Sequence, residues 1–383
     1  MRISEAWISA PETRAVCAAL TDAGYQALFV GGCVRNALLG APVSDLDIAT
    51  DARPEQVMDV VRAAGLAAVP TGIDHGTVTV VSNHVPHEVT TFRRDVETDG
   101  RRAVVAYADG PEADAHRRDF TMNALYARPD GQIIDPLGGL ADLQARRVRF
   151  IDDAEMRIRE DYLRILRFFR FHAWYGDPQA GLDADGLAAC AAFSAGIETL
   201  SRERLGAEMK KLLSAPDPGP SVAAMAQAGV LARVLPGADA RALPVLLHLE
   251  EGVAPDAIRR LAVLSGQDVA AALRLSRDEA ARHERLREAI GSADGPGALG
   301  YRLGTDEARD ALMLRGALFE QPLPQGWQAA VAQGAAAEFP IKAADLMPAL
   351  QGPALGARLR LLEQRWIASG FALGRDELLG ITE

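Results

Sequence analysis

Across residues 1–150 the spacing of apolar positions switches repeatedly between two periods. Ala27–Val30 is an apolar run of strand length, Asp45–Thr50 alternates polar with apolar, and Thr77–Ser82 and His87–Phe92 are dense in the β-branched residues that suit a pleated surface. Between them, Pro11–Ala23 and Pro54–Ala64 carry helical spacing, the second with proline at its first position and Asp51 ahead of it. After Asp152 the strand signal fades. From Glu155 onward the segments are rich in Ala, Leu and Arg at 3.6-type spacing, broken at Pro216–Pro220, Pro236-Gly237, Ser292–Gly297 and Pro322–Gln325. The pattern predicts an α+β chain, a mixed β-sheet with helices over residues 1–150 and then an all-helical remainder without a fixed-period repeat.

A length of 383 residues suits two or three domains, each able to bury its own core. No stretch approaches the roughly 18 apolar residues of a membrane span, and Met1–Ala10 holds Glu5 and no apolar block, so a cytoplasmic address without a membrane partner is expected. Cys17, Cys33 and Cys190 are too scattered for a disulfide framework or a zinc site. The net charge of −11 argues against a uniformly polyanion-binding surface. Only Lys210, Lys211 and Lys342 are lysines, a bias that fits a GC-rich genome, so arginine position rather than arginine number carries information. Walker-type GxxxxGK[ST], HExxH and GxSxG are absent. Gly295–Gly300 spells GxGxxG, but a helical segment (His283–Ile290) precedes it and proline sits in the turn, so it reads as a linker rather than a dinucleotide fingerprint.

The local signal that carries chemistry is Gly31-Gly32 followed by Asp45-Leu46-Asp47. Residues two apart on a strand share a face, so Asp45 and Asp47 present adjacent carboxylates while Leu46 and Ile48 turn inward. Such a pair repels itself unless a divalent cation lies between, and Mg²⁺ is the hard ion that also grips triphosphates. The glycine pair lets backbone N–H groups approach phosphate oxygens, and Arg35 adds charge one helical turn later.

The segment FVGGCVRNALLGAPVSDLDIAT resembles the signature of the class II tRNA nucleotidyltransferase and bacterial poly(A) polymerase family. Further segments resemble its later motifs in the same order: EVTTFRRDVETDGRR (88–102), HRRDFTMNAL (116–125), IDPLGGLADL (134–143), EDYLRILRFFRF (160–171) and SRERLGAEMKKLL (201–213). The C-terminal GPALGARLRLLEQRWIASG resembles the tail of bacterial members. The resemblance implies a catalytic nucleotidyltransferase head (1–150), a helical neck that reads the nucleobase (151–215), and a helical body and tail that bind tRNA (216–383). It also implies addition of CCA to the tRNA 3′ end from CTP and ATP without a nucleic-acid template, with two Mg²⁺ ions. Asp45 and Asp47 would hold metal, with Glu88 a possible third carboxylate. Gly31, Gly32, Arg35 and Arg118 would meet the triphosphate or ribose, and Asp119 and Asn123 would shape the sugar pocket. Asn36 departs from the pattern, since the family usually carries Asp there. An amide keeps hydrogen-bonding capacity and loses the charge, so a salt bridge to Arg35 is not expected.

Asp161, Arg164, Arg167 and Arg170 recur at every third residue, which on a continuous helix makes a slanting polar stripe. Cytosine and adenine both offer an amino donor beside a ring-nitrogen acceptor, whereas uracil and guanine offer the reverse. Asp161 beside Arg164 would therefore accept C and A and reject U and G, while Arg167 and Arg170 serve phosphates or the pocket wall. Residues 146–172 hold eight arginines against five acids, and residues 217–383 hold 17 basic against 21 acidic. A basic path for the acceptor arm is thus expected beside the site, extended by Arg202, Arg204, Lys210 and Lys211. No obligate protein partner is implied. Three other readings stay open: a poly(A) polymerase, which would carry an added basic extension; a CC-only enzyme, which would shorten the loop at 93–108; and a non-catalytic RNA-binding relative.

Overall fold

In the first sheet the strand order is β3-β4-β5-β2-β1-β8-β9: β1 (Leu28–Val30), β2 (Asp47–Thr50), β3 (Ala67–Gly72), β4 (Thr77–Ser82), β5 (Val85–Thr91), β8 (Tyr126–Ala127) and β9 (Ile133–Ile134). A separate hairpin pairs β6 (Arg93–Asp99) with β7 (Arg102–Tyr107). This is a computed structural model, and it describes residues 1–99 and 102–381. All neighbouring strands of the main sheet run antiparallel except β2 and β5, which are parallel and place Asp47 opposite Glu88 and Ile48 opposite Val89.

Strand alternation then separates a packing face from a chemical face. Val78, Val80, His87 and Val89 are buried, and the helices Pro11–Asp22 and Pro54–Ala63 pack on β4 and β5, with the Thr13 hydroxyl 3.1 Å from His87 Nε2. Ile48 lies in the same row as Val89 and is fully buried. Asp47 and Glu88 must therefore project to the opposite side, where Ala49 joins a second core with Leu28, Val30, Phe92, Tyr126 and Ile151. Each such buried aliphatic or aromatic side chain contributes about 1.5–3 kcal/mol relative to exposure, which fixes the register and with it the carboxylates.

The expected helices and strands are present with ends shifted by one or two residues, and three readings change. Asp45 precedes β2 and Leu46 is only half-buried, so the strand begins at Asp47. Asp51 does not cap Pro54–Ala63; its carboxylate accepts from the Gln26 backbone N–H at 2.7 Å and ties the approach to β1 instead. Most of the 93–108 segment, read as a loop, is the β6–β7 hairpin; of Asp99–Arg102, Gly100 and Arg101 lie outside the described residues.

The chain divides into two compact units, Met1–Pro236 and Gly237–Glu383. The expected boundaries at 150 and 215 both fall within the first, and the break at Pro236-Gly237 is where the second begins. Beyond the sheet the first unit is helical, including Ala154–Glu160, Leu163–Tyr175 and Arg202–Leu213. The second consists of helices, and its GxGxxG explains itself there. Gly295 caps the helical segment Pro296–Leu318, which is broken at Gly304 (φ +74°) and follows another helix, Arg277–Gly291, and no strand. A Cβ on Gly300 would lie 2.2 Å from the Val331 carbonyl oxygen, and one on Gly334 would lie 1.9 Å from that of Gly297. These glycines allow Pro296–Leu318 and Trp327–Ala336 to pack backbone to backbone. Among the described residues no helix is long and apolar enough to cross a membrane.

Candidate active site

The site is built where β1 turns into the helix Gly32–Leu39. Gly31 adopts φ +71° and ψ −118°, a left-handed conformation that a side chain would strain, and its N–H is held by the Leu125 carbonyl at 3.1 Å. A Cβ there would also sit 3.4 Å from Arg118 Nη1. The turn aims the start of the helix into a cleft of about 530 Å³ lined by Gly31, Gly32, Arg35, Asp47, Arg118, Asp119, Asn123, Asp161, Arg164 and Arg167. Ten of the thirteen residues singled out in the sequence thus converge; Asp45, Glu88 and Arg170 are not in the lining. Asp45 and Glu88 still flank Asp47, one two residues earlier and the other beside it on β5. Burial, the Glu88 charge and Asp45 together raise the Asp47 pKa above the usual carboxylate range, with Arg118 opposing.

Arginines from both sequence halves of the unit surround this acidic spot. Asp114, almost wholly buried, accepts from Arg118 at 2.9 Å, from Arg117 at 2.7 Å and from the Tyr126 hydroxyl at 2.7 Å. Burial works against its charge, yet the two guanidiniums prevail and leave its pKa at about 2. One carboxylate facing two arginines leaves positive charge to spare at Arg118, beside Gly31. Asp119 is likewise buried, accepting from Arg167 through two nitrogens, from Asn123 Nδ2 at 2.9 Å and from the Phe120 N–H at 2.8 Å. Burial pushes its pKa up and Arg167 pulls it down to about 2.

Arg35 completes the wall. Nη1 donates to Asn123 Oδ1 at 2.5 Å, Nη2 to the Tyr175 hydroxyl at 2.8 Å, and Nη2 and Nε to Asn36 Oδ1 at 2.9 and 3.1 Å. Its guanidinium lies 4.0 Å from the Tyr175 ring centre and 5.2 Å from that of Phe171. The neutral amide at position 36 holds Arg35 by hydrogen bonds.

The arginine stripe needs correction. Asp161 is not on the helix: it ends Ala154–Glu160 in an extended conformation, and the next helix starts at Leu163, whose N–H donates to Asp161 Oδ1 at 3.1 Å. Arg164 follows in the first turn and is held by Glu160 at 2.5 Å and by the Arg157 and Arg117 carbonyls. Asp161 and Arg164 therefore meet the cleft from a helix break rather than as neighbours along one face. Arg170 is outside the lining; it pairs with Glu208 at 2.6 Å, its guanidinium 4.5 Å from the ring centre of Phe171, which is in the lining. Arg204, expected on a phosphate path, instead pairs with Asp161 at 2.6 Å.

Sequence reasoning did not single out Arg93, Leu163 or Phe171 in the lining, nor Asp114 and Tyr175 behind it. The i,i+4 spacing of Asp114 and Arg118 was a usable signal; Tyr175, 140 positions from Arg35, left none. Among the described residues no three metal-binding side chains already form a closed cage.

Comparison with known proteins places the chain in a family. Residues 27–149 match the family described as the poly A polymerase head domain, and residues 182–241 match that described as the probable RNA and SrmB-binding site of polymerase A. The chain is 31% identical over 379 residues to mitochondrial CCA tRNA nucleotidyltransferase 1 of Mus musculus, covering 93% of this chain and 86% of that protein. It is 43% identical over 208 residues to the CCA-adding enzyme of Streptococcus pyogenes, 54% of this chain and 50% of that one. The crystal structure of the Bacillus stearothermophilus CCA-adding enzyme in complex with CTP superposes with a TM-score of 0.73 at 28% identity, covering 98% of this chain and 96% of that one. The chain belongs to the class II CCA-adding tRNA nucleotidyltransferase and poly(A) polymerase family.

Proposed function

We propose that this chain adds C, C and A to the 3′ end of tRNA from CTP and ATP, without a nucleic-acid template, in the cleft around Asp47. The observation that carries the reading is the union in one cleft of a glycine turn, a carboxylate flanked by two others, and an arginine wall. In each cycle the tRNA 3′-oxygen forms a bond to the α-phosphorus and the α–β bridging bond breaks. Pyrophosphate leaves, and the hydroxyl proton passes to solvent. Arg118, next to Gly31, and Arg35 meet the triphosphate and stabilise the charge that gathers on the leaving group.

Asp45 and Asp47, with Glu88 beside them, fit two Mg²⁺ ions. Among the described residues no protein cation pairs with them at hydrogen-bond distance, and Mg²⁺ is usually held by one or two carboxylates plus substrate phosphates rather than by a closed cage. Bound there, Mg²⁺ supplies acidification of the 3′-hydroxyl and neutralisation of the phosphates. Asp161 accepts from the amino group of C or A and Arg164 donates to the ring nitrogen, the Arg204 and Glu160 ion pairs holding each in place. Arg167 and Asp119, with Asn123, form the wall toward the sugar.

Purified protein with tRNA lacking CCA, Mg²⁺, CTP and ATP tests this by length and pyrophosphate count. Extension by three nucleotides with matching pyrophosphate, then arrest, is expected. Long A tails would replace the reading by a poly(A) polymerase, and no extension by a binding protein.

A further inference from the structure

Arg35 stands on the helix that follows the glycine turn, and Tyr175 closes the helix Leu163–Tyr175; the two meet behind the cleft wall across 140 positions of sequence. A guanidinium carries five N–H donors in one plane, and four of those on Arg35 are committed: the Nε hydrogen and one on Nη2 to Asn36, the other on Nη2 to the Tyr175 hydroxyl, and one on Nη1 to Asn123. Among the described residues the fifth, on Nη1, has no partner. The face of the plane is fixed as well. Tyr175 and Phe171, one helical turn apart with ring centres 5.5 Å from each other, form an aromatic corner that places the guanidinium 4.0 and 5.2 Å from the two rings. Tyr175 thus grips Arg35 twice, through its ring and through its oxygen. Arg164 sits in the first turn of the same helix, about 16 Å along its axis from Tyr175. One rigid element therefore presents Arg164 at one end and sets the direction of Arg35 at the other.

We propose that Tyr175 is a positioning residue for the nucleotide's phosphates: it fixes the plane of Arg35 so that the remaining Nη1 N–H faces the triphosphate, in register with the base-reading residues at the other end of its helix. The inference rests on the cleft being a nucleotide site. Tyr175 is not in the cleft lining, so it acts through Arg35 rather than by touching the nucleotide. Phenylalanine at this position keeps the ring and removes the oxygen, which releases an Nη2 N–H and lets the guanidinium turn within its plane. Leucine removes the ring too. Phosphates are common to CTP, ATP and pyrophosphate, so all three feel the loss alike, whereas base choice, set at Asp161 and Arg164, does not.

The test is affinity for pyrophosphate and for CTP, each by calorimetry with Mg²⁺ and no tRNA, together with the rejection of UTP and GTP during C addition. Tyr175→Phe should weaken pyrophosphate and CTP by the same factor, about tenfold, the scale of one charge-assisted hydrogen bond set out of line. Tyr175→Leu should weaken both by about threefold more, through loss of the ring. Both variants should reject UTP and GTP as the wild type does. Against an Arg35→Gln background, Tyr175→Phe should change CTP affinity by less than about twofold, because its route to the phosphates has been removed. A general loss of folding would instead weaken CTP equally in both backgrounds. That result, wild-type affinity in Tyr175→Phe, or weakening of CTP without weakening of pyrophosphate would each overturn the proposal. A wild type that binds neither CTP nor pyrophosphate would overturn it together with the nucleotide reading. One that binds both and transfers nothing to tRNA would remove the proposed function, while the affinity comparison still decides the role of Tyr175.

Discussion

Two dense groups of arginines and carboxylates occur in this chain, and they are wired in opposite ways. In the second unit, Arg259 and Arg260 share Glu250 at 2.6 and 2.7 Å, and Asp310 takes Arg259 at 2.9 Å and Arg282 at 2.7 Å. Arg259, Arg260, Glu250 and Asp310 are at most 4% exposed. In the first unit the arginines line an open cleft, Arg35 donates to two amides and a phenol and to no carboxylate among the described residues, and Asp47 is held against Glu88 and Asp45. Buried charge that is fully answered by neighbours is architecture. Charge held in a concavity and left unanswered is poised for a ligand, and it costs the free protein stability.

Asp47→Asn should show the largest contrast. It should lower nucleotide transfer by roughly a thousandfold or more, in line with loss of metal stabilisation in the transition state. Because the folded protein raises the Asp47 pKa, its ionised form is disfavoured by folding, so the asparagine variant should melt at or above wild type in EDTA. Adding Mg²⁺ should raise the melting temperature of wild type and not of the variant. A clear drop in stability would place Asp47 with the architectural charges.

Glu250→Gln should behave in the reverse sense. Removing the Glu250 charge from this buried set takes one counter-ion from both Arg259 and Arg260, at a cost of about 3–5 kcal/mol in denaturant unfolding of the second unit, while CTP affinity below the transition stays unchanged. Asp161→Ala comes next: each mismatched polar edge costs about 1–3 kcal/mol, so misincorporation of U and G should rise roughly a hundredfold in competition assays. Arg167→Ala should slow C and A addition without admitting U or G.

The smallest effect lies in acid. Asp119 has its folded pKa depressed to about 2, so the stability it contributes is present above the unfolded value near 4 and is lost as pH falls through about 2. The stability gap between wild type and Asp119→Asn, roughly 2 kcal/mol at pH 7, should close over that window in urea titrations. A gap independent of pH would mean that Asp119 acts through shape and not through its charge.

The legible parts of the site were those set by local spacing. Gly31-Gly32 and Asp47 could be placed because a strand period of two and a left-handed turn are written in adjacent residues. The Asp161–Arg170 spacing misled because it runs unbroken through Tyr162, where the helix is interrupted. The β6–β7 hairpin hid because Arg93–Asp99 has charged residues where apolar alternation would announce a strand. Arg35 on Tyr175 and Arg204 on Asp161 join segments 140 and 43 residues apart, and only the packed fold brings them together.

The central claim is that the charges left unanswered in the first unit's cleft select and transfer nucleotides by themselves. Sequencing the 3′ ends of tRNA lacking CCA, after exposure to wild-type protein with Mg²⁺ and all four nucleoside triphosphates at equal concentration, tests it most directly. The account predicts ends that stop at CCA with U and G nearly absent; ends of mixed sequence, or tails of A alone, would contradict it.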